Sequence, residues 1–235
     1  FAPDITYMFK GIIDTTLRDG QQSPLMFDSK KYRFSVEEKK KLVAGLVNLG
    51  ITHIEFFSPV VSDIEYRDFL EIKQHIASIT NKKIMLLAHC RCNTKDIEKA
   101  IEAGFDGLHL YINGTQKAHA YGYNKKKQEV LDQAVDTISA VRNAFPKLYL
   151  RFSIEDAFRT TRRDLYSFFD PLHAYVNTIG IPDTVGVATP ELVSVIIADI
   201  KKRYKNVDVE CDFHNDRGYA LINTMTAIQA GAEYV

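Results

Sequence analysis

The spacing of apolar and polar positions changes period repeatedly along this chain. Short runs rich in β-branched and aromatic residues are each followed by a stretch with apolar residues three and four apart, the mark of strands alternating with amphipathic helices. The first run is Ile12–Leu17. Behind it, Ser35 with Glu38 three residues on reads as a capping box, and Leu42, Val43, Leu46 and Val47 form one face of a helix closed by Gly50. Ile51–Phe57 leads into a helix over Ser62–Ile79, and Lys83–Ala88 into Thr94–Ala103, stopped at Gly104. Gly107–Ile112 leads into a helix from Lys127 to Asn143, ahead of Pro146. Leu148–Ile154 precedes Arg163–Ala174, Tyr175–Ile181 precedes a helix opened by Pro190, and Val207–Phe213 precedes Gly218–Ala230. Ala232–Val235 reads as the opening of an eighth strand.

Parallel strands joined by helices fit an open doubly wound sheet or a closed (β/α)8 barrel, and periodicity alone does not choose. Seven units and a fragment of an eighth favour the barrel, a TIM barrel whose eighth unit is truncated in this sequence. The polar residues agree, because they gather at the C-terminal ends of several strands, where barrels assemble their sites: Arg18 and Asp19, Glu55, His89 and Arg91, Glu155 and Asp156, Asp183 and Thr184, Asp212 and His214. No linker or low-complexity tract interrupts the series, so one catalytic domain over residues 1–235 is expected.

Composition narrows this further. With 235 residues and 46% hydrophobic content the chain has material for a large core. Thirty basic and thirty acidic residues leave no net charge, which argues against nucleic acid or a membrane surface as the main partner. Apolar runs fall far short of the ~20 residues of a membrane span. Three cysteines are too few for a disulfide framework and point to a reducing compartment; the first ten residues lack the order of a signal peptide, so a cytoplasmic protein is expected.

Four stretches carry candidate chemistry. In Asp14-Thr-Thr-Leu-Arg-Asp-Gly-Gln-Gln22, Arg18 can stabilise an oxyanion while Asp19 holds a cation; a surface ion pair is the plainer reading. In Asp212-Phe-His-Asn-Asp216, positions i and i+2 of a strand share a face, so Asp212 and His214 can converge on one ion; capping of the next helix is the plainer reading. In Arg151-Phe-Ser-Ile-Glu-Asp156, Arg151, Ser153 and Glu155 share a face, as a pocket for a small acid or as a buried ion pair. In Pro182–Pro190 a strand end, Gly186 and a helix-opening Pro make a loop able to offer N–H groups to an anion. His53, His75 and His173 read as packing or surface residues, Cys90 and Cys92 as structural, and Lys125-Lys126-Lys127 as a solvated helix start.

Taken in order, Asp14–Gln22, Arg151–Arg159, Asp183–Gly186 and His214-Asn215-Asp216 resemble the acyl-CoA-condensing metal enzymes with a pyruvate-carboxyltransferase-type barrel. That family contains isopropylmalate, citramalate and homocitrate synthases and hydroxymethylglutaryl-CoA lyase, and the resemblance covers residues 11 to 235. Ser58-Pro59, His89-Cys-Arg-Cys92, Arg151-x-Ser153-x-Glu155 and Gly186–Pro190 look closest to homocitrate synthase. The resemblance implies a Claisen-type condensation, in which the methyl carbon of acetyl-CoA attacks the ketone of a 2-oxo acid held by a divalent metal. It makes Asp19, His214 and Asp212 the metal ligands and Arg18 and Glu155 the catalytic candidates, Arg18 compensating the developing oxyanion. Gln22, Arg151, Ser153 and Thr184 would bind the oxo acid; His89 and Arg91, with Glu155, would select it. 2-Oxoglutarate, giving homocitrate, is favoured over oxaloacetate, pyruvate and 2-oxoisovalerate. A lyase on the same barrel, an isopropylmalate, citramalate or Re-type citrate synthase, and a non-catalytic oxo-acid-binding barrel are the rivals. The implied partners are the oxo acid, acetyl-CoA and further copies of the chain, as a homodimer or larger homo-oligomer.

Two departures from the family pattern matter. Asp212 stands where the family has the first His of His-x-His, which adds a hard, charged ligand and moves preference among Mg, Mn, Zn and Co towards Mg or Mn. The family's Gly-rich loop after strand eight and its helical C-terminal region lie beyond Val235, so a longer protein is expected.

Overall fold

The computed structural model describes residues 9–22, 34–113 and 126–235. Among them, seven strands alternate with seven α-helices. The chain forms two compact units, Ile12–His109 and Leu110–Val235 with Phe1–Gly11. No helix among the described residues is long and apolar enough to cross a membrane.

The unit Ile12–His109 carries β1 (Ile13–Asp14), α1 (Val36–Asn48), β2 (His53–Phe57), α2 (Asp63–Ile79), β3 (Met85–Arg91), α3 (Thr94–Ala103) and the first residues of β4 (Gly107–Asn113). β2 runs parallel to β1, with Ile13 opposite His53, and to β3, with Glu55 opposite Leu87 and Phe57 opposite His89. Alternation then separates the two faces of β2. Phe56 meets the rings of Phe69 on α2 and Phe105, which stack on each other at 3.6 Å, so Glu55 points to the opposite side. The capping box at Ser35 forms as expected: the Ser35 amide donates to Glu38 at 2.7 Å and the Glu38 amide to Ser35 Oγ at 3.3 Å. Gly104, at φ +80°, closes α3 in the left-handed conformation that glycine adopts without strain.

In this unit the first and third strands end elsewhere than the sequence pattern suggests. The first strand is only Ile13–Asp14, because the Asp14 carboxylate accepts the Thr16 amide at 3.0 Å and folds the chain into a turn, followed by a 3-10 helix over Asp19–Gln22. β3 runs on to Arg91 instead of stopping at Ala88, through residues whose polarity hid them from a hydrophobicity pattern.

The second unit carries α4 (Lys127–Ala144), β5 (Tyr149–Glu155), α5 (Arg162–Leu172), β6 (Thr178–Asp183), α6 (Pro190–Arg203), β7 (Asp208–Phe213) and α7 (Ala220–Gln229). Strands β5, β6 and β7 are parallel in that order. α5 stops at Leu172 and gives way to a 3-10 turn over His173–Tyr175, so β6 begins three residues later than its apolar run suggests. Asn177 spans the gap: its side-chain oxygen accepts the Leu150 amide at 2.9 Å and the Arg142 guanidinium at 2.8 Å. At the end of the chain, Tyr234 makes parallel bridges to Gly11 and to Glu210, the pairing expected of an opening eighth strand.

Register fixes a row across three strands. Ser153, Gly180 and Glu210 lie side by side, and a β-carbon at Gly180 would stand 1.9 Å from Ser153 Oγ and 3.0 Å from Glu210 Oε2. Glycine therefore sits there to admit its neighbours' side chains. Gly180→Ala is expected to cost about 1–3 kcal/mol, read as a lower urea midpoint at unchanged slope. Adding Ser153→Ala should return part of the loss; a Gly180→Ala protein as stable as the parent would show that the row can shift freely.

Candidate functional site

In the unit Ile12–His109, the turn after β1 builds the first cluster. The amides of Arg18 and Asp19 both donate to the Thr15 carbonyl, at 2.9 and 2.7 Å, which turns the chain back after β1. The Arg18 side chain is buried and bridges two carboxylates: Nε donates to Glu55 Oε1 and Nη1 to Asp19 Oδ1, each at 2.8 Å. Glu55 is wholly buried, and a buried carboxylate needs such a partner to stay charged. Two imidazoles complete the group. His109 Nδ1 lies 2.8 Å from Glu55 Oε2 and 2.8 Å from His89 Nδ1, and His89 Nδ1 lies 3.4 Å from Glu55 Oε1. Glu55, His89 and His109 are, among the described residues, the group of imidazole and carboxylate ligands close enough to hold a metal ion.

The predicted residues of this unit fall into different settings. His89 joins the cluster, and Gln22 is exposed at the end of the 3-10 helix. Arg91, expected to face the oxo acid, is instead forked onto Asp96 at the start of α3, with Nε at 3.0 Å and Nη2 at 2.8 Å. Its side chain is 63% exposed, and the cause is the i+5 spacing, which brings a buried helix-start carboxylate directly under the last strand residue. Glu55 was read only as one of the polar residues at the strand ends, without a role, and His109 was not singled out. His109 sits between Leu108 and Leu110, and the period of two along β4 was the signal for it: one polar residue on the face opposite two fully buried leucines.

In the second unit, Phe152 packs edge-on against Phe169 of α5, which leaves Arg151, Ser153 and Glu155 together on the other face of β5, as their spacing predicts. Arg151 is almost fully buried, with Nη2 3.4 Å from Glu210 Oε1. Glu210 is the residue that sequence reasoning missed here, although it lies two before Asp212 and on the same side of β7. Glu155 accepts from the Asn113 side chain at 3.3 Å. Thr184 Oγ1 accepts the Asp156 amide at 2.9 Å and thereby fixes Asp156, which holds a left-handed φ of +61° and pairs with Arg159. Accepting that amide leaves the Thr184 hydroxyl its own proton to donate.

The loop after β6 serves a different purpose from the anion cradle expected of it. The buried Asp183 carboxylate itself takes the amides of Val187 and Ala188, at 2.9 and 3.0 Å. Gly186, at φ +60°, lets this loop approach Asp216, whose amide nitrogen would lie 2.9 Å from any β-carbon there. Asp212 and His214 are half-buried, one at the end of β7 and the other just after it, in the i and i+2 relation their spacing predicts. Of the lysine run, Lys127 pairs with Asp164, Lys126 is the residue preceding α4, and Lys125 lies outside the described residues. His53 is in contact with Thr52 Oγ1 and His173 with the Asp170 carbonyl, local contacts that suit packing roles.

All three cysteines are reduced and buried. Burial pushes the Cys90 thiol up to about 12 and raises Cys211 as well, so neither offers a thiolate ligand at neutral pH. The native protein at pH 8 is expected to react with a thiol reagent at least ~100-fold more slowly than the denatured chain. A fast-reacting equivalent in the native state would contradict that burial.

A family model described as HMGL-like matches residues 10–235. The mitochondrial homocitrate synthase of Schizosaccharomyces pombe is 35% identical over 225 residues, 95% of this chain and 50% of that protein. The 2-isopropylmalate synthase of Methanocaldococcus jannaschii is 35% identical over 99% of this chain and 42% of its own length. The chain thus spans about half the length of these synthases. Among solved structures, the HMG-CoA lyase of Bacillus subtilis aligns with a TM-score of 0.76 at 21% identity, covering 97% of this chain and 76% of that one. That likeness shows the fold class, the (β/α)8 barrel.

Proposed function

Because the chain belongs to the HMGL-like family, we propose that it carries out the metal-dependent condensation of acetyl-CoA with a 2-oxo acid, with 2-oxoglutarate as the acceptor and homocitrate as the product. The observation that carries this reading is Arg18, buried and held between Glu55 and Asp19, in a chain similar to two condensing synthases over nearly all its length. A guanidinium fixed in a dry setting is ready to meet negative charge as it develops, without first reorganising water around it.

The donor chemistry of the proposed metal ligands, Asp19, Asp212 and His214, suits a divalent ion. Two carboxylates and one imidazole give it charge compensation and a harder environment than a His-rich set, which favours Mg or Mn over Zn. When bound, such an ion polarises the ketone of the oxo acid as a Lewis acid. The residues do the rest. Arg18 keeps Asp19 oriented through the 2.8 Å bond from Nη1 and stabilises the oxyanion that forms on carbon–carbon bond formation. Arg151, with Ser153 on the same face, binds carboxylate, and Glu210 keeps the buried guanidinium in place beforehand. Thr184 donates its hydroxyl to the acid, and Gln22 lines the entrance. Glu155 and His89 select the acceptor; Arg91 joins them only by exchanging Asp96 for the substrate. The 235 residues act on this reading as one catalytic domain, in a cytoplasmic homo-oligomer.

Thiol release from acetyl-CoA, measured against a panel of 2-oxo acids with Mn present, is expected to be fastest with 2-oxoglutarate. Arg18→Ala should lower kcat by about 10²–10³. Cleavage of a hydroxyacyl-CoA with no thiol release from any oxo acid would replace the synthase by a lyase; oxo-acid binding without either reaction would replace it by a non-catalytic barrel. Asp212→His should turn the metal preference from Mn and Mg towards Zn and Co in calorimetric titrations. An unchanged order of affinities would remove Asp212 from the ligand set.

A further inference from the structure

We infer that Glu55, His89 and His109 form a second divalent-metal site, separate in its ligands from Asp19, Asp212 and His214, and taking a borderline ion such as Zn, Co or Fe(II). This inference rests on the geometry of the unit Ile12–His109 and needs nothing from the proposed reaction.

Three neighbouring strands supply one ligand each. Glu55 comes from β2, His89 from β3 and His109 from β4, and the register that sets Phe57 opposite His89 places Glu55 on the same face as His89, two residues back. The distances crowd one ring nitrogen between two partners. His109 Nδ1 is 2.8 Å from an oxygen of Glu55 and 2.8 Å from Nδ1 of His89. A ring nitrogen has one in-plane site, which is either a proton or a lone pair. With a proton there, His109 has one N–H to divide between the carboxylate and His89, a weaker arrangement than two separate bonds. With a lone pair there, it can accept from His89, but it then confronts the carboxylate oxygen at hydrogen-bond distance with no proton between them. Burial makes either mismatch costly: the Glu55 and His109 side chains are 0% and 4% exposed.

A cation between the three groups removes the conflict, because each then points a lone pair at the ion. The spacing fits. Bonds of ~2.0–2.1 Å put ligand atoms about 2.9 Å apart at right angles and about 3.3 Å apart at the tetrahedral angle. His109 Nδ1 stands 2.8 Å from His89 Nδ1 and 2.8 Å from Glu55 Oε2, the 3.4 Å separation runs from His89 Nδ1 to the other carboxylate oxygen, Oε1, and one ligand atom from each residue lies within 4.8 Å of the others. Two imidazoles and one carboxylate on one side of an ion are a donor set for Zn, Co or Fe(II) with further positions open. Arg18 acts as the outer partner: its Nε bond to Glu55 Oε1 orients the carboxylate so that Oε2 meets His109. The same guanidinium charge opposes a dication, so the affinity should be weaker than that of a structural zinc. His89, at 14% side-chain exposure, is the solvent side of the site.

The test is a Co(II) titration of the whole chain by calorimetry and absorption. Two equivalents are expected for the parent protein. Glu55→Gln and His109→Ala should each lose one and keep the other, while Asp212→Asn and His214→Ala should lose the complementary one. Loss confined to the Asp212 and His214 variants would overturn the second site and leave the proposed catalytic metal standing; loss confined to the Glu55 and His109 variants would do the reverse. Should the His109 variant fail to fold, Co(II)-loaded His214→Ala protein supplies the reading. Two hyperfine-shifted imidazole Nε2–H resonances support the site, and none overturns it.

Discussion

A buried carboxylate must find its partners where it stands, and both units of this protein are arranged around that requirement. Glu55 meets Arg18 and His109; Glu210 meets Arg151; Asp183 takes two amides of its own loop; Asp96 takes Arg91 and the Arg91 amide. Glu233 takes Lys201 and the Val209 amide, and Lys39, buried between α1 and α2, holds Glu65 and Asp68. Losing one member of such a group strands the other in a medium that cannot solvate it, at a cost of roughly 3–5 kcal/mol for a fully buried pair.

This requirement also explains which parts of the site could be read from sequence. Strand alternation is enforced by the apolar face, so once Phe152 must pack against Phe169 the sharing of a face by Arg151, Ser153 and Glu155 follows, and spacing reveals it. The capping box at Ser35 and the glycine stop at Gly104 are local and were equally readable. Partner choice is not local. Arg91 lies on the expected strand, yet the buried Asp96 five residues on outcompetes any position in the interior, and nothing in a periodicity pattern ranks one carboxylate against another. Asp183 is similar: its loop has the look of an anion site because it does bind an anion, namely its own side chain.

His109 and Glu210 were hidden for a related reason. His109 interrupts a largely apolar strand, and Glu210 is one of three acidic residues alternating along Asp208–Asp212; neither pattern reveals a role until the neighbouring strand supplies the counterpart. The counterpart of His109 is 54 residues away and that of Glu210 is 59 away, distances in sequence that only a register between strands can close. The first strand shows the same limit at short range. Pairing with β2 ends at Asp14, whose carboxylate takes the Thr16 amide and turns the backbone away from the ladder.

The two proposed donor sets divide along chemical hardness. Replacing a neutral imidazole by the Asp212 carboxylate makes the Asp19, Asp212 and His214 set richer in oxygen and more negative, the environment in which Mn and Mg compete best against ions of higher intrinsic affinity. Glu55, His89 and His109 are richer in nitrogen and carry one carboxylate whose charge Arg18 already offsets, which leaves affinity to the imidazoles and so to Zn, Co or Fe(II). Arg18 links these arguments, since it touches a carboxylate of each set, Asp19 through Nη1 and Glu55 through Nε. Charge added at either carboxylate changes the field at the guanidinium, and with it the orientation and acceptor strength of the other. An ion bound at Glu55 would draw carboxylate charge away from Arg18 and strengthen the guanidinium's hold on Asp19, lowering the negative charge that Asp19 would offer the metal proposed for it. Occupancy of one set should therefore weaken the other, a reciprocal coupling that linkage requires to be equal in both directions.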